Sequence, residues 1–339
     1  MKAVILEEAN VFSVEERPDP TPAEDEALVR VRHTGICATD VAMIRGLSPL
    51  ALSPITPGHE WVGTVEHAPK GSSFAPGEWV TIYPTKGCGT CAACHDGRAH
   101  HCANFTVSGV HRDGGSFAEY VAAPVDQLIK LPESLHSIHG ALAEPATVGV
   151  HANLQGGMTV GKRVAVIGGG TIGSMIAQVA RGWGAADVVM VDRMPARQAL
   201  AADLGFDHFV LSGEGDEEKK LLSFGGPFDI VFDNACTEQT IELAANTLEI
   251  GGTMVTLTFP HAGQKLIAPY LTAYRRELHI VFSRNYARGD WDHTFDLMSK
   301  GAIDTERMIS GIYPLDRFVE AMDDLRDHPE EHVKVVISP

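Results

Sequence analysis

The sequence predicts an α/β protein of two domains, in which a compact, β-rich, barrel-like domain is followed by a doubly wound parallel sheet. Residues 1 to about 145 are rich in short β-type runs, and ALVRVR at 27–32 alternates apolar and polar side chains as a half-buried strand does. From about residue 148, apolar strands alternate with amphipathic helices, which predicts parallel strands with helices on both faces. The 339 residues are enough for two domains.

The same patterns place the individual strands. In the first domain, Trp61–Glu66 and Glu78–Ile82 are similar runs, and prolines at 18, 20 and 22 break the chain between early strands. In the second domain, the candidate strands are 164–167, 188–191, 208–211, 229–232 and 252–258.

The end of the chain carries a candidate helix near 290–300 and a candidate strand at Val333–Ile337. We expect this tail to return to the first domain, because the doubly wound sheet is already complete. The predicted domain limits are therefore 1–147, 148–287 and, for the returning segment, 288–339.

A glycine-rich turn begins the second domain. The apolar run at 164–167 is typical of a strand buried on both faces, and Gly168, Gly170 and Gly173 follow it with the spacing G-x-G-x-x-G. The first glycine permits a tight turn, the second lets the backbone approach a pyrophosphate, and the third lets the next helix pack close to the strand. Thr171 and Ile172 lie inside this turn. The stretch predicts dinucleotide binding by these residues.

The acid at Asp192 indicates which dinucleotide is bound. It follows the apolar run 188–191 and lies about 20 residues beyond the glycines, where a carboxylate binds the ribose hydroxyls. Such a carboxylate repels the extra phosphate of NADP, so the sequence favours NAD. Arg193 follows directly and would soften this preference.

Composition argues against several other classes of protein. The formal net charge of −17 disfavours a nucleic-acid partner, and no run of about 18 apolar residues is present to span a membrane. The stretch MKAVILEEANVF has a short apolar patch broken by Glu7 and Glu8, which is typical of a first strand and not of a signal peptide. We therefore expect a cytoplasmic protein that acts on a small molecule.

Four of the six cysteines lie close together, and they are Cys88, Cys91, Cys94 and Cys102. This clustering in a large chain favours a metal over disulfides. Four thiolates at such spacing suit a closed tetrahedral zinc site, which is structural because it leaves no position for substrate. The sequence thus predicts a structural zinc lobe at 86–104. Nearby histidines are alternative ligands that we expect to be solvated loop side chains: His95, His100 and His101.

A second set of possible metal ligands lies outside that lobe. Cys37 occurs in GICATD, His59 and Glu60 occur in PGHEWVG, and Glu144 occurs in ALAEPATVGVHA. Together they offer one thiolate, one imidazole and carboxylates. This mix fits a catalytic zinc, which takes three protein ligands and keeps a fourth position open.

The ordered set of motifs resembles the zinc-dependent medium-chain dehydrogenases over essentially the whole chain. The matching features are GICATD around Cys37, GHE at 58–60, the four-cysteine lobe, the Glu-Pro pair at Glu144 and the glycine turn. Within that family the chain is most similar to the polyol and sugar-acid branch, which includes sorbitol, threonine and galactitol-phosphate dehydrogenases. The segment GVHRDGGSFAEYV at 109–121 is similar to L-galactonate oxidoreductases.

The resemblance implies a GroES-like catalytic domain, a Rossmann domain and a cleft between them that holds a catalytic zinc. By motif match, Cys37, His59 and Glu144 are the first candidates as ligands. Glu60 is either a ligand or a partner that exchanges with water, and which carboxylate binds directly stays open.

The resemblance also implies a proton relay. Thr39, two residues after Cys37, would receive the proton of the substrate alcohol. Alcohol dehydrogenases often have a histidine five residues after the zinc-binding cysteine, and this chain has Ala42 there. The proton would therefore leave through the cofactor ribose, water or Glu60. Asp40 is expected to hold the loop.

Further contacts are carried over from the family. Arg197 would lie behind the adenine, Arg284 and Asn285 near the pyrophosphate, and Thr258, with Phe259 and Pro260, near the nicotinamide. Candidate contacts to substrate hydroxyls are Arg45, Phe105, His111 and Arg112. For Arg112 we expect an ion pair with Asp113 or a solvated position.

The expected function is that of a zinc dehydrogenase that passes a hydride from a secondary alcohol of a polyol or sugar acid to NAD. It would hold one catalytic and one structural zinc and form a homodimer or homotetramer. The alternatives are a simple alcohol or L-threonine-type dehydrogenase and a non-catalytic, NAD-binding regulatory relative.

Overall fold

The computed structural model describes residues 1–48, 52–258 and 269–339. Its backbone forms two compact units. Unit 1 comprises Met1–Glu144, Ala287–Gly289 and Ile309–Pro339, and unit 2 comprises Pro145–Tyr286 and Asp290–Met308.

The secondary structure follows the predicted order of a β-rich half and an alternating half. The strands are β1 (Lys2–Glu8), β2 (Val11–Glu16), β3 (Glu26–Gly35), β4 (Glu60–His67), β5 (Trp79–Ile82), β6 (Thr85–Lys86), β7 (Thr106–Val107), β8 (Tyr120–Pro124), β9 (Leu128–Lys130), β10 (Arg163–Ile167), β11 (Asp187–Asp192), β12 (Phe209–Leu211), β13 (Phe228–Asp233), β14 (Leu248–Thr256), β15 (His279–Phe282), β16 (Ile309–Pro314) and β17 (Lys334–Ser338).

The α-helices are α1 (Ala38–Ile44), α2 (Ala92–His95), α3 (Ala143–Gln155), α4 (Thr171–Gly182), α5 (Pro195–Asp203), α6 (Glu217–Ser223), α7 (Glu238–Thr247), α8 (Tyr270–Arg276), α9 (Asp290–Ser299) and α10 (Phe318–Asp327). Short 3₁₀ helices lie at Ala99–His101, Glu133–Leu135, Ile138–Leu142 and Leu315–Arg317.

Unit 1 is built on a mixed sheet in the order β16-β17-β3-β4-β5-β9, and β8 also pairs with β3. The alternation in β3 is real, because Val29 and Val31 are buried while Arg30 between them is exposed. These valines pack with Trp61 and Val80 in one core cluster. Antiparallel pairing sets Gly35 opposite both Glu60 of β4 and Val336 of β17. Three distant segments therefore meet at the end of β3.

Unit 2 is a six-stranded parallel sheet in the order β12-β11-β10-β13-β14-β15 among the described residues. Its central strands read as continuous apolar runs because both faces are covered by helices. The chain runs outward from β10 to β12 and then returns to β13, so the order reverses between β10 and β13. The predicted α/β class, with a β-rich GroES-like part and a Rossmann part, is confirmed.

The segment 290–308 clusters with unit 2, although we had assigned it from the sequence to the returning tail. Its contacts give the reason. Asp290 Oδ2 lies 2.7 Å from Nδ1 of His151, and the amide of Asp304 donates to Gln178 at 2.7 Å. The return to unit 1 comes with Ala287–Gly289 and again from Ile309. The limits 1–147, 148–287 and 288–339 were predicted for functional domains, which the compact units of the backbone do not test. They therefore stay a prediction.

Within the described ranges, no helix has the length and apolar character needed to cross a membrane.

Candidate active site

Three of the proposed catalytic ligands come together in unit 1. One donor atom each of Cys37, His59 and Glu60 lies within 4.8 Å of the other two. Cys37 caps the N-terminus of α1 just after β3, and Glu60 begins β4. Because the β3–β4 register sets Gly35 opposite Glu60, the two segments must meet at this point. His59 and Glu60 are buried, and Cys37 is half-buried.

Asp40 contacts two residues of this cluster, and its side chain has no exposed surface. Its Oδ2 accepts the amide of Cys37 at 2.9 Å and so closes a capping box at the start of α1. Its Oδ1 lies 3.4 Å from Nδ1 of His59, a charge contact in which neither atom completes a hydrogen bond. The expected loop-holding role of Asp40 therefore extends to the imidazole.

The electrostatics of the cluster favour a cation. Burial alone would lower the pKa of His59, but the negative charges of Asp40 and Cys37 outweigh burial and raise that pKa well above its ordinary value. A thiolate, an imidazole and a carboxylate gathered around buried negative charge form a donor set that suits Zn²⁺. The residues present therefore fit the metal.

A lysine that the sequence did not single out lies against the same cluster. Nζ of Lys334 donates to Oε2 of Glu60 at 2.6 Å, and both side chains are almost fully buried. The lysine reaches this position because β17 pairs with β3 beside Gly35. The sequence carried no local signal for this pair, because a lysine in a C-terminal strand is usually exposed.

The other two proposed residues differ in their surroundings. Glu144 is buried near the start of α3. Burial lowers the pKa of Lys334, but the negative charges of Glu60, Cys37 and Glu144 together outweigh burial and raise that pKa. Thr39 is exposed in the first turn of α1, where its amide donates to Sγ of Cys37 at 3.4 Å. Their roles as ligand and proton acceptor stay predictions.

The four lobe cysteines also converge. The sulfurs of Cys88, Cys91, Cys94 and Cys102 all lie within 4.8 Å of one another, and no cysteine of this group forms a disulfide. Hydrogen bonds from Thr90 and Cys102 lower the pKa of Cys88 to about 6. A Cβ at Gly87 would lie 2.4 Å from Sγ of Cys94, so the backbone wraps closely around the sulfurs. The geometry fits a closed four-thiolate zinc site.

Two expectations for side chains around these sites were wrong. His100 is not solvated: it is buried, and its ring lies 4.1 Å from that of His101. Arg112 does not pair with Asp113, and instead donates to Gln127 at 2.6 Å and to Ser108. Asp113 is occupied by the amide of Thr56. Arg112 differs from the expectation because Ser108 and Gln127 lie within reach as uncharged acceptors.

In unit 2 the glycine turn lies where the strand order reverses. Gly168 has φ of 95°, which favours glycine, and a Cβ at Gly173 would lie 1.7 Å from the carbonyl oxygen of Gly168. A Cβ at Gly170 would meet nothing within 4 Å. Gly170 also begins α4 without a capping side chain. Open space at a helix N-terminus suits a pyrophosphate, so the turn fits a dinucleotide.

Asp192 lies directly beside this turn. Its Oδ2 accepts the amide of Gly169 at 2.7 Å, and its Oδ1 accepts the amide of Met194 at 2.9 Å. Arg197 is buried on the same side of Gly169 as Asp192, since a Cβ at Gly169 would lie 3.3 Å from Cβ of Arg197 and 3.6 Å from Cβ of Asp192. Arg193 is exposed.

Asn234 is a candidate cofactor contact that the sequence analysis missed. It follows β13, its amide donates to Ile167 at 2.9 Å, and its Oδ1 is buried without a hydrogen-bond partner. Thr258 donates to the carbonyl of Asn234 at 2.6 Å. Its position could have indicated this role, because Asn234 is a polar residue directly after β13, where the strand order of the sheet reverses.

The remaining predicted cofactor residues follow the edge strand. Arg284 is exposed and Asn285 has φ of 53°, and both come just after β15 at the carboxyl edge of the sheet. The predicted neighbours Phe259 and Pro260 lie outside the described residues.

Comparison with known families matches both halves of the chain. Residues 23–133 match the model of the alcohol dehydrogenase GroES-like domain, and residues 171–300 match the model of the zinc-binding dehydrogenase.

Full-length relatives give the same result. An uncharacterized zinc-type alcohol dehydrogenase-like protein of Haemophilus influenzae is 30% identical, over 99% of this chain and 98% of its own length. L-galactonate-5-dehydrogenase of Escherichia coli K12 is 29% identical, over 100% of this chain and 99% of its own.

Solved structures superpose over the whole chain. RspB of Escherichia coli CFT073 in complex with NADH is 28% identical with a TM-score of 0.93, over 100% of this chain and 99% of its own. A zinc-binding dehydrogenase of Sinorhizobium meliloti 1021 bound to NADP is 33% identical with a TM-score of 0.92, at the same coverage.

Proposed function

Because the chain belongs to the zinc-type alcohol dehydrogenase family, we propose that it oxidises a secondary alcohol of a polyol or sugar acid to the ketone and passes the hydride to NAD. The observation that carries this proposal is the cluster of Cys37, His59 and Glu60, whose donor atoms lie within 4.8 Å of one another. A regulatory relative without catalysis is expected to have lost these ligands, and here every position is filled.

Each residue of the cluster has a task. Cys37, His59 and one carboxylate, Glu144 or Glu60, would hold the zinc, and Asp40 would keep Nδ1 of His59 facing inward so that Nε2 is presented. The bound ion supplies Lewis acidity that lowers the pKa of a substrate hydroxyl. Thr39 would take up the hydroxyl proton, and because Ala42 cannot carry it further, the proton would leave through the cofactor ribose, water or Glu60.

The cofactor would be held by unit 2. The amides at the start of α4 and the open space at Gly170 would hold the pyrophosphate, and Asp192 would bind the ribose hydroxyls. One structural neighbour holds NADH and another holds NADP, so the family alone leaves the choice open. The carboxylate of Asp192 is held in place by two amides and would repel a ribose phosphate, which supports NAD.

The substrate class rests on the relatives. A relative of nearly equal length is L-galactonate-5-dehydrogenase, and another is the sorbitol dehydrogenase of Bacillus subtilis. Both names give a dehydrogenase with a polyhydroxylated substrate. His111 is a candidate substrate contact: its Nδ1 accepts the amide of Val107 at 3.2 Å, which assigns the proton to Nε2.

The test is a screen of NAD⁺ reduction over polyols, aldonates and amino alcohols, repeated with NADP⁺ and with the C37S protein as control. The proposal expects turnover with a polyol or aldonate and none in the control. Turnover of amino alcohols alone would reassign the substrate class, and equal activity in C37S would reject the zinc mechanism. A homodimer or homotetramer in the cytoplasm stays a prediction, which light scattering and cell fractionation test.

A further inference from the structure

Residues 107–112 form a loop that is closed by its own backbone, and we call it the His111 loop. The amide of His111 donates to the carbonyl of Val107 at 2.9 Å, and the amide of Gly109 donates to the carbonyl of Arg112 at 2.9 Å. These bonds join both ends of the loop. The loop is therefore a firm support for the side chains that it carries.

The His111 loop packs directly on the backbone that carries His59. A Cβ at Gly109 would lie 2.3 Å from the carbonyl oxygen of Gly58, and Gly109 has φ of 71°, so a side chain at this position would prevent the approach. Gly58 is the residue before His59. The loop thus lies beside the metal cluster within the same compact unit.

The ring of His111 is held in one tautomer. Its Nδ1 accepts the amide of Val107 at 3.2 Å, so the proton lies on Nε2, and the ring of Phe105 packs edge-on at 5.5 Å. Burial and, second, the charge of His59 lower the pKa of His111, so its imidazole is uncharged near neutral pH. The side chain is only half-buried and offers its Nε2–H as a neutral donor.

Arg112, the neighbouring side chain, is used inside the protein. Its Nη2 donates to Oε1 of Gln127 at 2.6 Å and to Oγ of Ser108, which accounts for both N–H groups of that nitrogen. Gln127 is buried and donates in turn to the carbonyl of Tyr83 at 2.9 Å. An arginine binds a carboxylate with two parallel bonds through Nη2 and either Nε or Nη1. In this arrangement Arg112 cannot form that contact, and it ties the His111 loop to Gln127.

On the basis of the proposed function, we propose that His111 determines specificity by donating its Nε2–H to a substrate hydroxyl, and that Arg112 is the positioning residue that holds the His111 loop in place. A carboxylate bound at the same point would lose its hydration without gaining a cation from this loop, which is costly. The loop therefore favours an uncharged alditol over the aldonate with the same stereocentres.

Steady-state kinetics on matched pairs test this proposal. Each pair is an alditol and the aldonate of the same configuration, such as sorbitol and gluconate, and the wild type should have the higher kcat/KM for the alditol. H111L keeps an apolar contact to Phe105 but removes the donor, so it should raise KM for the alditol about fivefold with little change in kcat. H111Q restores an N–H near the same point and should return KM toward the wild-type value.

The role of Arg112 has its own variants. R112L removes both bonds of Nη2 and should raise KM for both members of a pair by the same factor, because it loosens the loop and removes no substrate contact. R112K can still donate to Gln127 and should have a smaller effect. H67L is the matched control, since His67 is exposed at the end of β4 in the same unit. It should leave both KM values unchanged.

Opposite results overturn the proposal. An unchanged KM in H111L would reject His111 as a substrate contact, and a loss in R112L confined to the aldonate would make Arg112 the receptor of a carboxylate. A wild type that prefers the aldonates would reject the selection of an alditol, and this comparison needs no variant to fold. No oxidation of any pair by the wild type would instead reject the proposed function and, with it, this proposal.

Discussion

Oδ1 of Asp40 lies 3.4 Å from Nδ1 of His59, with both side chains buried, while Oδ2 of Asp40 accepts the amide of Cys37 at 2.9 Å. One carboxylate thus contacts two candidate ligands from different segments of the chain, Cys37 after β3 and His59 before β4. Carboxylates in this position orient a metal-binding imidazole and raise its basicity. A change at Asp40 should therefore disturb both residues while leaving them in place.

D40N should weaken zinc binding at the cluster by about 10- to 100-fold, because the neutral amide no longer supports the imidazole. The measurement is competition with a chelator of known affinity, followed by counting the zinc that remains. D96N is the control, since Asp96 is an exposed partner of Arg98 in the cysteine lobe. Equal zinc affinity in D40N and wild type would contradict the role assigned to Asp40.

G35A should displace the carboxylate of Glu60, because the new Cβ would lie 2.4 Å from its Oε2. Overpacking of this kind costs about 1–3 kcal/mol of folding stability. Thermal unfolding of the zinc-loaded protein measures the loss. G289A is the matched control, because a Cβ at Gly289 meets nothing within 4 Å. A melting temperature as high as that of G289A would show that the space at Gly35 is not needed.

G170A should separate cofactor binding from folding. The new Cβ enters open space and leaves the fold intact, but it occupies the position that a pyrophosphate approaches. We expect NADH affinity to fall at least about tenfold, which is 1.4 kcal/mol, with little change in melting temperature. Fluorescence titration with NADH measures this. G173A, whose Cβ would lie 1.7 Å from a carbonyl oxygen, should instead lower the melting temperature.

D192S should shift the cofactor preference toward NADP. It removes the charge that repels the ribose phosphate, and it also removes the acceptor of the Gly169 amide, so affinity for NAD should fall as well. We expect the ratio of kcat/KM for NADP⁺ over NAD⁺ to rise at least about tenfold, equivalent to 1.4 kcal/mol. Steady-state kinetics with both cofactors measure the ratio. A wild-type enzyme that prefers NADP⁺ would refute our interpretation of Asp192.

C91S should remove the structural metal without emptying the cluster at Cys37. Replacing one of four thiolates opens a closed site, and structural zinc contributes directly to folding. We expect the zinc content to fall from two to one per chain, together with a lower melting temperature. Elemental analysis after dialysis checks the count. Unchanged zinc content in C91S would reject the lobe as a metal site.

Local patterns account for what the sequence could predict of the fold. The strand at 163–167, the glycine turn and the strand at 187–192 were recognisable because periodicity and glycine spacing act over a few residues. The boundary at the end of the chain was harder. Nothing local indicates that Asp290 pairs with His151, and that contact gathers the segment 290–308 into unit 2.

The sequence by itself determined the elements, the four-cysteine lobe and the glycine turn, because each is specified by residues close together in the chain. Only the tertiary structure decided that Asp40 supports His59, that Lys334 neutralises Glu60 and that Asn234 faces the turn. These contacts depend on strand register and on pairing between distant segments. A buried charge or polar group is stable only when it is paired or hydrogen-bonded, and its partners come from distant segments that local periodicity cannot reveal.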